Sequence, residues 1–278
     1  KITEESKATL FMTLLAIFYI QLYKYTSDED ICVGTPIANR TRSEVEGLIG
    51  FFVNTLVIRT QLNGSVSFND LLSQVKEETL SAYSHQDIPF EILVEELVKE
   101  RNLSQSPLFQ VMFILQNSLQ DELTIPGLTC KTDFLETYTS KFDLTMEMRE
   151  SKDSITCIIE YNSDLFEQQT IDQFMKHYLV LAEEIVKNPK AQIAQLEMLT
   201  KKEYEQIVFH WNDTKRENGF EEMMHNVFEK KAEAIPDQEA LVFEDISLTY
   251  KEFNEQANIL AHHLRSLGVD KEMFVGVY

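Results

Sequence analysis

The sequence predicts an α/β fold built on a mixed sheet, followed by a second, separately patterned region. Segments with apolar residues at helical spacing alternate with short runs rich in β-branched residues, an order typical of helices packed on a sheet. With 278 residues, 44% of them apolar, the chain is long enough to bury a substantial core. After Leu199 a polar, turn-rich stretch begins, and a new set of helices and strands follows it. Such a stretch is typical of a linker between domains.

The first third of the chain predicts three helices and two strands. One largely buried helix is expected over residues 4–25, where apolar residues fill almost every turn. Ser67 and Asp70 have the spacing of a capping box, which predicts a second helix from there to about Tyr83. Pro89 is tolerated in the first turn of a helix and opens a third. The strands are predicted at 31–34 and 53–60, around a polar loop at 39–42.

From Pro107 onwards the apolar pattern changes and predicts strands, followed by one long helix. The strands are expected at 108–115, 128–134, 142–149 and 155–161, and the amphipathic helix at 170–187. Beyond the linker we predict a helix at 223–234, a strand at 240–244, a helix at 250–267 that Gly268 terminates, and a strand from 274. The predicted division is 1–199 for the first domain, 200–219 for the linker and 220–278 for the second.

Composition excludes several classes of partner. The net charge of −21 and pI near 4.6 disfavour nucleic acid and anionic membranes, because both require clustered Lys and Arg. The longest apolar run, residues 10–20, is too short to span a bilayer. Cys32, Cys130 and Cys157 are widely spaced and lie mostly in apolar runs, which is typical of reduced core thiols. We therefore expect a cytoplasmic protein with no nucleic-acid or membrane partner. From its first and last residues, we also expect the sequence to be a piece of a longer chain.

Two stretches combine polar side chains with aromatic residues and are not explained by helix or strand periodicity. Asn54 lies in the segment Gly-Phe-Phe-Val-Asn-Thr (50–55), and Gln86 and Asp87 lie in Ser-His-Gln-Asp-Ile-Pro-Phe-Glu (84–91). A buried polar group without a hydrogen bond costs about 1–3 kcal/mol, so these groups indicate a shaped site or interface. The phenylalanines at positions 18, 51, 52, 109 and 113 are expected in the core.

Four stretches in order carry a family resemblance: GTPIANR (34–40) leading into EGLIGFFVNT (46–55), HQDIPFE (85–91), ERNLSQSPLFQV (100–111) and YNSDLF (161–166). Together they resemble the condensation domain of non-ribosomal peptide synthetases. The linker, from LT at 199 to WNDT at 211–214, is similar to the connection between condensation and adenylation domains. The segments at 235–237, 240–243 and 248–253 resemble the opening of an adenylation domain.

The resemblance implies a chloramphenicol-acetyltransferase-like sandwich lobe, namely the carboxy-terminal lobe of a condensation domain without its amino-terminal lobe. A truncated amino-terminal piece of an adenylate-forming domain follows. The implied activity of the parent is amide-bond formation between a carrier-bound donor thioester and an acceptor aminoacyl thioester, coupled to amino-acid adenylation. The implied partners are peptidyl or acyl carrier domains and the remainder of the same synthetase. The parent would use phosphopantetheine, ATP and magnesium, none of which this fragment is expected to bind.

The sequence offers no catalytic, cofactor-binding or metal-binding residues. The family's His-His-x-x-x-Asp-Gly motif, which can assist loss of a proton from the acceptor amine, is absent. At His262-His263, leucine (Leu267) stands where aspartate is needed. The isolated fragment is therefore expected to be inactive. By resemblance, Asn54, Gln86 and Asp87 are expected to line the substrate channel.

Each expected channel residue also has a structural interpretation. Asn54 can tie a strand to a loop, and Asp87 can cap the helix that follows it. The sequence departs from the family at Asn102 and Gln105, where aspartate and arginine are common. Two alternatives to a peptide-bond-forming condensation domain stay open at this point: a heterocyclisation-type homologue, and a truncated, non-catalytic scaffold or interaction remnant.

Overall fold

The computed structural model describes residues 2–40, 42–99, 106–116, 139–151, 154–215 and 223–277. The chain divides into two compact units, Lys1–Asn212 and Asp213–Tyr278. The predicted strand at 128–134, and with it Cys130, lies outside the described residues, as do Asn102 and Gln105. Cys32 and Cys157 are half-buried free thiols.

The described part of the first unit combines helices with a five-stranded sheet. Its helices are α1 Ile2–Glu5, α2 Leu10–Thr26, α3 Ser43–Glu46, α4 Phe68–Ser84, α5 Phe90–Leu97, α6 Gln168–Lys187 and α7 Lys201–Glu205, with a 3-10 turn at Ile193–Gln195 and a π-helical turn at Gln206–His210. Its strands are β1 Asp30–Ile37, β2 Asn54–Gln61, β3 Val111–Gln116, β4 Leu144–Glu150 and β5 Ile155–Tyr161.

The sheet is mixed, as the sequence predicts. Its strand order is β2-β1-β3-β4-β5. The central neighbours β1, β3 and β4 run parallel, whereas the outer pairs β1–β2 and β4–β5 are antiparallel. In the β1–β2 pair, Ile37 at the end of β1 faces Asn54 at the start of β2. The connection between β1 and β2, residues 38–53, therefore leaves and re-enters the sheet at the same end, where Ile37 and Asn54 pair.

The main core lies between the sheet and the helices α2, α4 and α6. Helix α2 packs against α4, α6 and β1, and its residues from Leu15 to Leu22 are all buried, which explains its almost uniformly apolar sequence. Phe113 of β3 is fully buried. Its ring centroid lies 5.4 Å from that of Phe18 and 5.7 Å from that of Phe11.

The single helix expected over residues 4–25 is wrong, because the chain breaks between α1 and α2. Lys7 adopts a left-handed φ of 49°, and the side chain of Thr9 accepts a hydrogen bond from the backbone N–H of Met12. That hydrogen bond satisfies one of the unpaired N–H groups at the start of α2. The Ser67–Asp70 capping box at the start of α4 is confirmed.

Strand β3 begins at Val111, later than the sequence predicts. Leu108 adopts a left-handed φ of 69°, which is incompatible with an extended strand. Strand β1 is longer than expected, because it pairs along its whole length with β2.

The second unit contains α8 Met224–Ala234, β6 Glu239–Phe243, β7 Ile246–Thr249 and α9 Tyr250–Ser266. The two strands form an antiparallel pair, and Thr249 and Glu252 form the capping box of α9. Gly268 follows the helix with a φ of +88°, as predicted. The strand expected from 274 is not formed by residues 274–277. A strand needs a partner, and the described strands of this unit pair with each other.

Helix α7, the first element of the predicted linker, is fixed to the rest of the first unit by hydrogen bonds that meet at one buried histidine. His177 of α6 is 7% exposed. Its Nε2 lies 3.0 Å from Oε2 of Glu203 and its Nδ1 lies 2.6 Å from the hydroxyl of Tyr25. Because a carboxylate only accepts hydrogen bonds, we assign the imidazole proton of His177 to Nε2, which donates to Glu203. The unprotonated Nδ1 then accepts a hydrogen bond from the hydroxyl of Tyr25. The hydroxyl of Thr200 also donates to Glu203.

The charge of Glu203 is stabilised within this chain. Burial acts to raise the pKa of Glu203, but hydrogen bonds from Thr200 and His177 outweigh it and leave the pKa below that of an ordinary carboxyl group. Burial, with the nearby charge of Glu203, raises the pKa of Tyr25 to about 12. The tyrosine therefore stays protonated at neutral pH.

Replacing Glu203 with glutamine is expected to lower the free energy of unfolding of the first unit by about 1.5–3 kcal/mol, the range for hydrogen bonds to a charged group. Since the folded pKa is depressed, this stabilisation is complete above the ordinary carboxyl pKa near 4.5 and is lost as the pH falls through the lower folded value. Urea unfolding followed by the fluorescence of Trp211, the single tryptophan, measures the difference between wild type and Glu203→Gln.

The matched control is Glu205→Gln on the same helix. Glu205 makes an exposed pair with Lys201 at 3.8 Å, and such pairs contribute little. Two outcomes would contradict the stabilising role of Glu203: equal losses of unfolding free energy in the two variants, or a Glu203→Gln effect that does not shrink on acidification.

Candidate functional site

Asn54, the first residue of β2, binds the turn that follows α4 with its whole side-chain amide. Its Nδ2 donates to the carbonyl oxygens of Gln86 at 2.9 Å and Ile88 at 2.8 Å. Its Oδ1 accepts from the N–H of Phe90 at 3.1 Å and from its own neighbour Thr55 at 2.9 Å. Two donors and two acceptor positions are all that a primary amide offers, so every position of this half-buried side chain is occupied.

The turn between α4 and α5 has a defined shape. His85 ends α4, and its carbonyl accepts a hydrogen bond from the N–H of Ile88 at 3.1 Å. Pro89 then occupies the position before α5 with an extended backbone. Asp87 does not occupy the cap position of α5, because Pro89 holds it, and no side chain at that position bonds to the helix. The N–H of Phe90 is instead satisfied by Asn54, which is 36 residues away in the chain.

A cleft of about 280 Å³ opens between this turn and the start of β2. Apolar side chains and two carboxylates face it together. It is lined by Asn39, Phe51, Val53, Asn54, Thr55, Asp87, Pro89, Phe90 and Glu91. Asp87 and Glu91 are both exposed.

Phe51 corrects one of the sequence expectations. The sequence predicts Phe51 in the core, but its side chain is 91% exposed and lines the cleft. Its neighbour Phe52 is half-buried under Arg40, whose guanidinium carbon lies 4.3 Å from the ring centroid. Arg40 also donates to the carbonyls of Val45 and Glu46. These contacts hold the loop that presents Phe51, whereas Phe18, Phe109 and Phe113 are buried as expected.

The three predicted site residues meet in one place but contribute differently. Asn54 and Asp87 line the cleft, whereas Gln86 supplies its backbone carbonyl to Asn54 and its side chain is not part of the lining. Asn39 and Glu91 were not singled out from the sequence. Asn39 lies near Asn54 because the strand register places Ile37, two residues before Asn39, opposite Asn54. Glu91 follows one helical position after Phe90.

The described lining can bind and orient a ligand but contains no histidine, cysteine or lysine for proton transfer or nucleophilic attack. His85 is exposed, and its Nδ1 lies 2.9 Å from the carbonyl of Ser81. His262 and His263 are exposed on α9 of the second unit. Within the described ranges no group of three or more potential metal ligands is assembled. The titratable side chains of the described lining are the carboxylates of Asp87 and Glu91.

Two family comparisons divide the chain in the same order as the motifs. Residues 1–208 match the family described as "Condensation domain", and residues 228–278 match the start of the family described as "AMP-binding enzyme". The motif-based resemblance is confirmed. The boundary between the two compact units, after Asn212, lies between these matched segments.

The curated relatives are peptide synthetases. The chain is 45% identical over 278 residues to a linear gramicidin synthase of Brevibacillus parabrevis, a match that covers 99% of this chain. It is 40% identical over 280 residues to tyrocidine synthase 3 of the same organism, a match that covers 100% of this chain. The chain spans about 6% and 4% of the length of these two relatives.

A solved structure shows the same fold. A four-domain non-ribosomal peptide synthetase bound to AMP and glycine superposes with a TM-score of 0.80, covering 96% of this chain and 21% of its own, at 23% identity. The X-domain from teicoplanin biosynthesis superposes with a TM-score of 0.65 over 71% of this chain and 46% of its own, also at 23% identity. The predicted fold class, a mixed-sheet lobe followed by the start of an adenylate-forming domain, is confirmed.

Proposed function

Because the chain belongs to the condensation-domain family of non-ribosomal peptide synthetases and continues into an AMP-binding domain, we propose that its first unit forms one wall of a condensation channel. In the proposed reaction, the amine of an acceptor aminoacyl thioester attacks the carbonyl of a donor thioester. The new amide bond replaces the thioester bond, and the donor's thiol leaves with a proton. The assigned boundaries, 1–199 for the lobe, 200–219 for the linker and 220–278 for the adenylation portion, are part of this proposal.

The observation that carries the proposal is the cleft between β2 and the turn before α5. Its apolar residues, Phe51, Val53 and Phe90, suit the flexible arm of a carrier-bound substrate, and the exposed carboxylate of Asp87 suits an amine. Asn54 supports the wall and does not touch the ligand in this proposal, because its hydrogen-bonding capacity is used within the protein.

The proposed parent synthetase uses phosphopantetheine arms on carrier domains, and ATP with magnesium for amino-acid activation. We assign no nucleotide site to this chain, because phosphate is usually held by the backbone of a glycine-rich loop and its sequence contains no such loop. The eight glycines are scattered, and the closest pair, Gly47 and Gly50, lies in the condensation unit. The carrier domains and the rest of the same synthetase are the proposed partners.

We place the protein in the cytoplasm, since it is strongly acidic. None of the described helices combines the length and apolar character needed to cross a bilayer. The relatives, which are gramicidin and tyrocidine synthases, do not favour the two alternatives, a heterocyclisation homologue or a non-catalytic remnant. The isolated chain is expected to form no amide, because the paired-histidine motif is absent from its sequence.

Replacing Asp87 with alanine in the synthetase module that contains this chain tests the proposal. We expect KM for the acceptor aminoacyl carrier to rise about three- to tenfold, because a charge-assisted contact with the amine is lost. Amide formation is measured by mass spectrometry of the carrier-bound product. Amino-acid adenylation, measured by ATP–pyrophosphate exchange, should not change.

Glu95→Ala is the matched control, because Glu95 is an exposed acid on α5 outside the cleft lining. If Asp87→Ala and Glu95→Ala formed amide with the same KM, the assignment of this cleft to the acceptor would be overturned.

A further inference from the structure

A strained turn at Leu108 places the buried ring of Phe109 behind Phe90, which lines the cleft. Leu108 adopts a φ of 69°, a conformation that non-glycine residues rarely hold unless the surroundings enforce it. The N–H of Phe109 then donates to the carbonyl of Pro107 at 2.9 Å. The side chain of Phe109 is 1% exposed, yet it is not part of the main core between the sheet and the helices.

The ring of Phe109 fits against β1 only because residue 34 is glycine. Side chains alternate between the two faces of a strand, so position 34 faces away from the main core to which Val33 belongs. A β-carbon at Gly34 would lie 2.7 Å from Cδ2 of Phe109 and closer still to Cε2 and Cζ. These are rigid ring atoms, so an added methyl group must displace the ring.

Phe109 in turn contacts Phe90, one of the two aromatic residues that line the cleft. The ring centroids of Phe109 and Phe90 lie 5.6 Å apart, and the ring centroid of Phe142 lies 5.2 Å from that of Phe109. Phe90 is the first residue of α5, and its N–H is bonded to Asn54. Phe90 is therefore held from two directions, through its backbone by Asn54 and through its ring by Phe109.

We propose that Gly34 and Phe109 are positioning residues that set the orientation of Phe90 and thereby the shape of the cleft. The inference rests on the proposed function for its catalytic consequence, but its structural content concerns this chain alone. The strain at Leu108 is maintained because the ring of Phe109 is enclosed by Gly34, Phe90 and Phe142.

Gly34→Ala in the full chain tests the proposal by amide hydrogen exchange. We expect exchange over residues 85–91 to become about tenfold faster, with the amides of β4 unchanged, because the displaced ring no longer supports Phe90. Gly47→Ala is the matched control, since a β-carbon at this exposed position would meet nothing within 4 Å. Equal exchange over 85–91 in the two variants, or faster exchange throughout the first unit, would overturn the proposal.

A double-mutant cycle shows whether Gly34 acts through Phe109. Phe109→Val removes the ring atoms that the new methyl group would meet, so adding Gly34→Ala to it should speed exchange no further. Additive effects would overturn the proposal. If Gly34→Ala prevents folding, the milder Phe109→Leu must by itself speed exchange over 85–91, and unchanged exchange there is a negative result for the proposal.

The same variants in the synthetase module separate the inference from the proposed function. If the cleft is the acceptor wall, Gly34→Ala should raise KM for the acceptor aminoacyl carrier while adenylation is unchanged. Faster local exchange with an unchanged KM supports the positioning roles of Gly34 and Phe109 and argues against the proposed function of the cleft.

Discussion

Replacing Asn54 with alanine is expected to release the turn between α4 and α5 and to lower amide formation by the parent module about tenfold or more. The variant loses four hydrogen bonds at once. Each contributes about 0.5–1.5 kcal/mol, and water can replace part of them at this half-buried position. A local loss of about 1–3 kcal/mol follows, enough to populate displaced conformations of Phe90 and Asp87.

Asn54→Asp distinguishes the role of the donor Nδ2 from that of the acceptor Oδ1. The carboxylate keeps the acceptor oxygen for Phe90, but it places negative charge against the carbonyls of Gln86 and Ile88, which lose their donor. We therefore expect the aspartate variant to be as damaging as alanine, although it is nearly isosteric.

Hydrogen exchange over residues 85–91, together with kcat and KM for amide formation, measures both variants. Gln86→Ala is the control for the turn, because it retains the carbonyl that Asn54 binds and should leave exchange there unchanged. If Asn54→Ala abolished amide formation while the turn kept its wild-type exchange, Asn54 would be acting on the substrate directly, and its supporting role would be wrong.

Replacing Phe113 with alanine is expected to have the largest effect on stability. The ring is fully buried at the centre of the core and packs on Phe11 and Phe18. Removing a buried phenylalanine costs about 3–5 kcal/mol, since transfer free energy is lost and a cavity remains. Domains are typically stable by only about 5–15 kcal/mol, so a large part of the stability of the first unit is at stake.

Phe51→Ala is the matched control, with the same change of side chain at a position that is 91% exposed. Its effect on unfolding should lie within about 0.5 kcal/mol. Urea unfolding followed by circular dichroism measures both variants, fitted with separate transitions because the chain has two compact units. Similar losses for the two variants would show that the position of Phe113 in the core is misassigned.

Local signals explain which elements were predictable. The capping box at Ser67–Asp70 places the start of α4 within four residues of sequence, and Gly268 marks the end of α9. The break at Lys7 and Thr9 falls in a stretch, residues 3–9, that is polar apart from Ala8, and Thr9 is a residue type that favours the start of a helix. A local signal for the start of α2 is therefore present in the sequence, and the prediction of one helix over residues 4–25 does not use it. At Leu108 the residue type disfavours the left-handed backbone, so no local signal indicates the turn.

The candidate site was predictable in its location and not in its contacts. Asn54 and Asp87 were indicated by polar side chains among aromatic residues. The sequence offers nearby Asp87 as a cap for α5, whereas the N–H of Phe90, the first residue of the helix, donates to distant Asn54. Similarly, the pattern could not distinguish exposed Phe51 from buried Phe113, because hydrophobicity alone does not show which face of an element is covered.

The family, the mixed α/β class, the order of the two domains and the absence of the paired histidines can all be read from the amino-acid sequence, because short motifs and apolar periodicity indicate each of them. The folded chain is needed to see that Asn54 supports a turn, that Gly34 leaves room for Phe109, and that Glu203 binds His177. These contacts join residues 26 to 75 positions apart. Their geometry follows from strand pairing and helix packing, which no local pattern specifies.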